Sequence, residues 1–355
     1  MNIDLHGLPN ALRDILRAYA TLCPIRCLAF PSDLPFRQVH DFLLNYLLLH
    51  PFFLSYPPSP QYQQQFWKWA LAQLESMPMN EDDDEIDGRL YEHHVSLVSR
   101  STTSLETGSL PPAPSYFTYF WKRDYGSEFD SATLLESRTT IESGTTGLKT
   151  WRASLVLAQY LIEHPDIVQD KRLLELGSGV GLLGIVAAAI QWQQPVIQGS
   201  ICLTDVNQEV LARCAENLRL PCNKSSVHPN VKTAYLDWTD STDPTGITSV
   251  QDLLADSSPD VILGADVVYD PRIIPPLIET LKIVLQDRNR IALIALTERN
   301  ENTLAQFVWE AKAALSTEEL LIEQTDLKEF WGIADLGDSM PDQTVKIFQL
   351  RARAR

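Results

Sequence analysis

The segment Leu173-Leu-Glu-Leu-Gly-Ser-Gly-Val-Gly-Leu-Leu-Gly184 is a short apolar strand signal that runs into closely spaced glycines and then into an apolar helix signal. Glycine leaves no Cβ in the way and accepts positive φ, so Gly177, Gly179 and Gly181 let the backbone come close to a ligand at the end of a strand. Gly179, Gly181 and Gly184 also satisfy G-x-G-x-x-G, the spacing that seats a dinucleotide pyrophosphate on a helix N-terminus. Three further clusters follow at strand ends: Asp205, Leu236-Asp-Trp238 and Ala265-Asp-Val-Val-Tyr269.

Glu175 decides between ligands. A carboxylate two residues before the first glycine repels a pyrophosphate and complements a cation that carries an amino group. S-adenosylmethionine, with its sulfonium and α-amino group, has that character. Asp205 ends the strand signal ICLTD, where a carboxylate accepts hydrogen bonds from both hydroxyls of a ribose; it is equally well placed to cap the helix that follows. The indole of Trp238 offers a face for adenine, or packs on a helix. Asp266 attracts and orients a cationic amine and Tyr269 supplies an aromatic wall with a hydrogen-bonding group, the alternatives being a helix cap and half-buried packing.

These residues need strands to carry them. Strand signals at 172–176, 200–205, 231–236, 260–265 and 291–297 alternate with helical stretches, a helix is expected over 151–164, and 345–350 closes the series. Such alternation predicts an α/β, doubly wound, mostly parallel sheet with helices on both faces. Residues 116–137 read as paired strands around Gly126. Ahead of them, 8–22, 36–50 and 61–76 carry apolar residues at helical spacing between prolines, which predicts an N-terminal helical domain over 1–98. Its aromatics Phe66, Trp67 and Trp69 read as core. The acidic run 81–87 and the Ser/Thr/Pro-rich stretch 99–115 read as solvated loop and linker, leaving 116–355 as the second domain.

The chain has 355 residues with 46 acidic and 29 basic side chains, a net charge of −17. That balance argues against nucleic acid, whose phosphates need clustered Lys and Arg, and favours a cationic partner. No apolar run approaches the roughly 20 residues that span a bilayer, and the N-terminus lacks a basic flank followed by an apolar core, so the expected location is the cytoplasm. The five cysteines show no zinc-ligand spacing and read as reduced, mostly buried thiols with no metal. No long heptad appears, and a monomer is expected.

Taken together, E-x-G-x-G-x-G, the acidic end of the next strand, L-D-W and A-D-x-x-Y resemble the seven-stranded, S-adenosylmethionine-dependent protein-lysine methyltransferases. Within that group, Ser143-Gly-Thr-Thr-Gly-Leu-Lys-Thr-Trp151, Leu236-Asp-Trp238 and Ala265-Asp-Val-Val-Tyr269 most resemble the elongation factor 2 lysine methyltransferase family. His50-Pro51, Tyr56-Pro-Pro-Ser-Pro60 and the aromatic helix after them resemble that family's N-terminal domain. The resemblance implies a Rossmann-like fold and cofactor contacts at Trp151, Gly177, Ser178, Gly179, Trp238 and Ala265. It also implies a ribose contact at Asp205, substrate-side roles for Asp266 and Tyr269, and elongation factor 2 as the substrate. A nicotinamide-dependent oxidoreductase would leave Glu175 and L-D-W without a role. A non-catalytic scaffold is at odds with an intact A-D-x-x-Y, and a small-molecule enzyme has no evident use for the helical domain.

Overall fold

The computed structural model describes residues 3–78, 84–103, 112–123, 128–322, 326–333 and 343–353. They fall into two compact units, Met1–Thr139 with Leu327–Asp335, and Thr140–Asp326 with Leu336–Arg355.

In the first unit, prolines set the helix starts. Pro9, Pro35, Pro51 and Pro60 stand at or beside the first residues of α1 (Asn10–Ala20), α2 (Phe36–Phe42, continuing as a π-helical turn Leu43–Leu48), α3 (Pro51–Ser55) and α4 (Pro60–Glu75). The aromatic stripe of α4 is core, as expected: Phe66 and Trp67 are fully buried, Tyr19 lies 4.6 Å from Phe66, and Trp69 packs 5.6 Å from Phe30. A further helix, α5 (Gly88–Thr103), was not anticipated. It buries Leu90 and Leu97, two turns apart, and its otherwise polar sequence hid the period. Of the stretch read as linker, 99–103 thus complete α5, 104–111 lie outside the described residues, and Ser115 opens a strand. Glu81, Asp82 and Asp83 of the acidic run also lie outside them. Of the rest of the run, Asp84 lies near Arg37 and Asp87 accepts from the Arg89 backbone and guanidinium.

The paired strands expected over 116–137 are the antiparallel hairpin β1 (Ser115–Lys122) and β2 (Phe129–Glu136). They group with the first unit, whereas the sequence reading placed them with the sheet that follows. Their aromatics explain why. Trp121 packs on Trp331 of the short helix Leu327–Trp331, and the Arg17 guanidinium donates to carbonyls of that same helix.

The second unit is the doubly wound sheet. In chain order its elements are α6 (Arg152–Glu163), β3 (Arg172–Leu176), α7 (Leu182–Gln191), β4 (Ser200–Asp205), α8 (Gln208–Leu218), β5 (Val231–Tyr235), α9 (Ile247–Ser257), β6 (Val261–Ala265), α10 (Ile274–Val284), β7 (Ile291–Thr297), α11 (Glu301–Ala314), β8 (Ser316–Leu320) and β9 (Val345–Arg351). The order across the sheet is β5-β4-β3-β6-β7-β9-β8, with β9 antiparallel to both neighbours and the other pairs parallel. Edge strand β8 was missed because STEEL is polar and half exposed, unlike the continuous apolar runs of the inner strands. Alternate strand residues such as Leu174, Leu176, Ile262, Ile294 and Phe348 face α9, α10 and α11 in one cluster.

Chain order reverses at β3, whose neighbours are β4 and β6, so the crevice at a topological switch point opens at the C-terminal ends of those three strands. Helix α7 comes close to β4 there because Gly184 faces Leu203; a Cβ at 184 would run into the Leu203 side chain. Gly184→Val forces that fully buried leucine aside, and overpacking of this kind costs about 1–3 kcal/mol. A urea denaturation midpoint lower than that of the unaltered protein is the expected result. An unchanged midpoint would mean that α7 stands farther from the sheet.

Candidate active site

A cavity of about 400 Å3 lies at the crevice, within the range of small-molecule sites. All ten residues selected from the sequence line it: Trp151, Glu175, Gly177, Ser178, Gly179, Asp205, Trp238, Ala265, Asp266 and Tyr269. They arrive from four strand ends and from the loop before α6, more than a hundred residues apart in the chain.

The glycine loop turns sharply out of β3. Gly177 has φ +63° and Gly179 φ +54°, the left-handed region that a side chain enters only at a cost of about 1–2 kcal/mol. A Cβ at 177 would also sit 3.1 Å from Val267 and 3.5 Å from the Trp238 ring, and one at 179 would sit 3.1 Å from the Gly147 carbonyl. The loop is tied to β4: the Ser178 N–H donates to the Thr204 carbonyl at 2.8 Å and the Gly179 N–H to Asp205 Oδ2 at 3.3 Å.

Two carboxyls stand beside the loop. Glu175 is only 4% exposed, and its Oε2 has no hydrogen-bond partner among the described residues. Burial, with the Asp205 charge adding to it, pushes the Glu175 carboxyl up to about 8, against the N–H of Gly184. Burial likewise raises Asp205, opposed by the N–H groups of Asn207, Gly179 and Val206. The capping alternative for Asp205 is settled by Asn207, whose side chain accepts from Glu209 and Val210 and is the cap of α8. Beyond β5, Asp237 caps the turn that carries Trp238, and the indole is half-buried, resting on the α10 side of the core.

Asp266 is placed differently from expectation. Its own φ is +53°, and its side chain is 6% exposed. Oδ1 accepts the Thr297 N–H at 2.9 Å, while Oδ2 accepts the Thr297 hydroxyl at 2.9 Å, Arg299 at 3.0 Å and, at 3.5 Å, the Ala153 N–H. It lines the cavity as an anchored group with one acceptor direction left on Oδ1, instead of as an open carboxylate. It does not cap the turn that follows it, which Asp270 caps. Tyr269 is 66% exposed, its hydroxyl raised by partial burial and by Asp205 and Asp270. Trp151 donates its indole N–H to the Thr146 carbonyl at 3.0 Å, and the Arg299 guanidinium lies 4.6 Å over its ring. Thr297 and Arg299 escaped the sequence reading, since only the register of β6 on β7, Ala265 opposite Ala295, brings them to Asp266.

An unsatisfied buried carboxylate oxygen beside a loop whose backbone is bare of side chains suits a cationic amino group next to a nucleoside. The residues fit S-adenosylmethionine. Glu175 would take the amino group, Asp205 the ribose, and Trp238 the adenine.

Sheet order and pocket together define a Rossmann-like methyltransferase. The lysine methyltransferase family model matches residues 129–314. Protein-lysine N-methyltransferase EFM3 of Chaetomium thermophilum is 33% identical over 254 residues, covering 71% of this chain and 72% of that one. Protein-lysine N-methyltransferase EEF2KMT is 29% identical in Bos taurus, over 78% of this chain and 79% of that one, and 30% in Homo sapiens, over 76% and 75%. The chain belongs to the lysine methyltransferase family: it is a protein-lysine N-methyltransferase with S-adenosylmethionine as methyl donor.

Because the Glu175 carboxyl rises from its ordinary 4.5 to about 8 on folding, the folded ligand-free protein holds a proton there that the unfolded chain gives up. That contribution is complete below about pH 4.5 and is lost as pH rises through about 8. Relative to Glu175→Gln, the unaltered protein should lose on the order of a few kcal/mol of stability between pH 5 and pH 9. Urea denaturation of both at pH 5, 7 and 9 reads the difference. A difference that stays flat would give Glu175 a second partner.

Proposed function

We propose that this protein methylates a lysine of elongation factor 2, in the cytoplasm and as a monomer. The observation that carries the reading is the cavity itself, which brings Asp266 and Tyr269 of the A-D-x-x-Y motif to the same space as the glycine loop and Glu175. The relatives named EEF2KMT, and the resemblance of residues 143–151, 236–238 and 265–269 to the elongation factor 2 lysine methyltransferases, support the choice of protein. Among the described residues no helix is long and apolar enough to cross a membrane, which is compatible with the location.

S-adenosylmethionine supplies an electrophilic methyl group on a sulfonium. The chain's own task is to hold Glu175, Asp205 and the glycine backbone around the donor and to bring a lysine amine in line, about 3–3.5 Å from the methyl carbon. The amine's lone pair forms the new C–N bond as the S–C bond breaks. A free lysine has a pKa near 10.4 and arrives as ammonium, so its proton leaves to water or a nearby carboxylate before attack. Tyr269 and Trp151 line the entry, where the positive charge of a bound donor would disfavour the ammonium form of the amine. Asp266 fixes the wall between them.

The test is incubation with radiolabelled S-adenosylmethionine and an extract from cells that lack the protein, followed by mass spectrometry of labelled bands. One band at the size of elongation factor 2, carrying methyl-lysine and absent with Asp266→Ala, is the expected outcome. Asp266→Ala should keep cofactor affinity within about tenfold while turnover falls by at least 10²-fold, as for loss of alignment in the transition state. Label on some other protein would overturn the substrate, and unimpaired Asp266→Ala would overturn the role of the motif.

A further inference from the structure

Asp266 sits in a backbone conformation that non-glycine residues avoid, and the donors that hold it there come mostly from Thr297 at the end of β7 and Arg299 just beyond it. Arg299 does a second thing. The same guanidinium that donates to Asp266 Oδ2 at 3.0 Å lies 4.6 Å over the Trp151 ring. It therefore spans two parts of the cavity wall that belong to different elements: the end of β6, where Asp266 opens the segment leading to Tyr269, and the residue before α6, where Trp151 stands. Arg299 does not itself line the cavity, and its guanidinium engages Asp266 and Trp151, away from Glu175, Asp205 and the glycine loop.

We propose that Arg299 is a positioning residue for methyl transfer, clamping the substrate-facing segment that starts at Asp266 against the aromatic wall at Trp151. A planar guanidinium can donate from its edge and stack through its face at once, and an ammonium cannot. The clamp joins the side where the amine enters to Trp151, for which the resemblance implies a cofactor contact. The Trp151 indole keeps its bond to Thr146 without Arg299, so the clamp sets the alignment of the two reactants and leaves most of the hold on the donor, at Glu175, Asp205 and the glycine loop, in place. This rests on the reading of Asp266 and Tyr269 as the substrate side.

The experiment compares Arg299→Ala and Arg299→Lys with the unaltered full chain by calorimetric titration with S-adenosylhomocysteine, by kcat and KM on the protein that the unaltered enzyme labels, and by thermal melting. Arg299→Ala is expected to lower kcat by about 30–100-fold, the scale of a misplacement near 1 Å, with S-adenosylhomocysteine affinity and substrate KM within about threefold. Arg299→Lys keeps the charge without the stack and recovers only part of kcat, staying at least about fivefold below the unaltered protein. A kcat for Arg299→Ala within twofold of the original, or S-adenosylhomocysteine affinity falling in step with kcat, overturns the proposal. Should Arg299→Ala melt below the assay temperature, Arg299→Lys decides: folded with reduced kcat it supports the clamp, folded with full kcat it overturns it. Should the labelled protein prove to be other than elongation factor 2, it serves as substrate in the same assay, so the choice of substrate can fail while this inference stands.

Discussion

A carboxyl held in the apolar interior at the end of the central strand is the constraint on which the site depends. Glu175 is on β3, flanked on both sides by paired strands and covered by α7, and water reaches very little of it. An ionised carboxylate there is costly unless a cation compensates, and no side-chain cation of the described residues is bonded to it. The fold accommodates the group by keeping it protonated, and its folded environment then favours the arrival of a ligand that carries the missing charge. The closeness of Asp205 reinforces this, since two neighbouring acids resist ionising together.

Asp266 shows the opposite solution to the same problem. It is nearly as buried, yet it is given donors from Thr297 and Arg299, and the charge is answered within the protein. One carboxyl is left wanting a partner and the other is saturated on one oxygen, at two strand ends that share a cavity. The difference assigns them different work. A group that is short of a partner can take one from a ligand, and a group that is fully held can fix the geometry of the wall around it.

The sheet was legible because its inner strands are buried on both faces and therefore read as unbroken apolar runs; 172–176, 200–205 and 291–297 appear with the expected bounds. That the ten chosen residues would share one cavity was legible for a related reason: most were chosen at the C-terminal ends of strands, which a doubly wound sheet brings to one crevice. Illegible were the elements whose burial depends on one or two residues. Helix α5 rests on Leu90 and Leu97 amid polar neighbours, and β8 is an edge strand with little to hide. The role of Arg299 was beyond reach from sequence, because a cation two residues past a strand acquires a meaning only when strand register supplies its acid.

The two reactants of a lysine methyltransferase ask for opposite electrostatics, and the cavity separates them. The donor is a cation, and the acids nearest the glycine loop, Glu175 and Asp205, suit it. The acceptor must be a neutral amine although it comes from solution as a cation, so a bare carboxylate beside it would stabilise the unreactive form. Anchoring Asp266 with Arg299 removes much of that penalty, and Lys149, which lines the same cavity 5.8 Å from the Trp151 ring, adds positive charge on that side. The net charge of −17 acts at longer range, where it favours the approach of cationic groups. On the proposed reading of Asp266 and Tyr269 as the substrate side, attraction operates over the distance at which a protein is captured, and the charge at the reacting nitrogen is set within a few residues of Trp151.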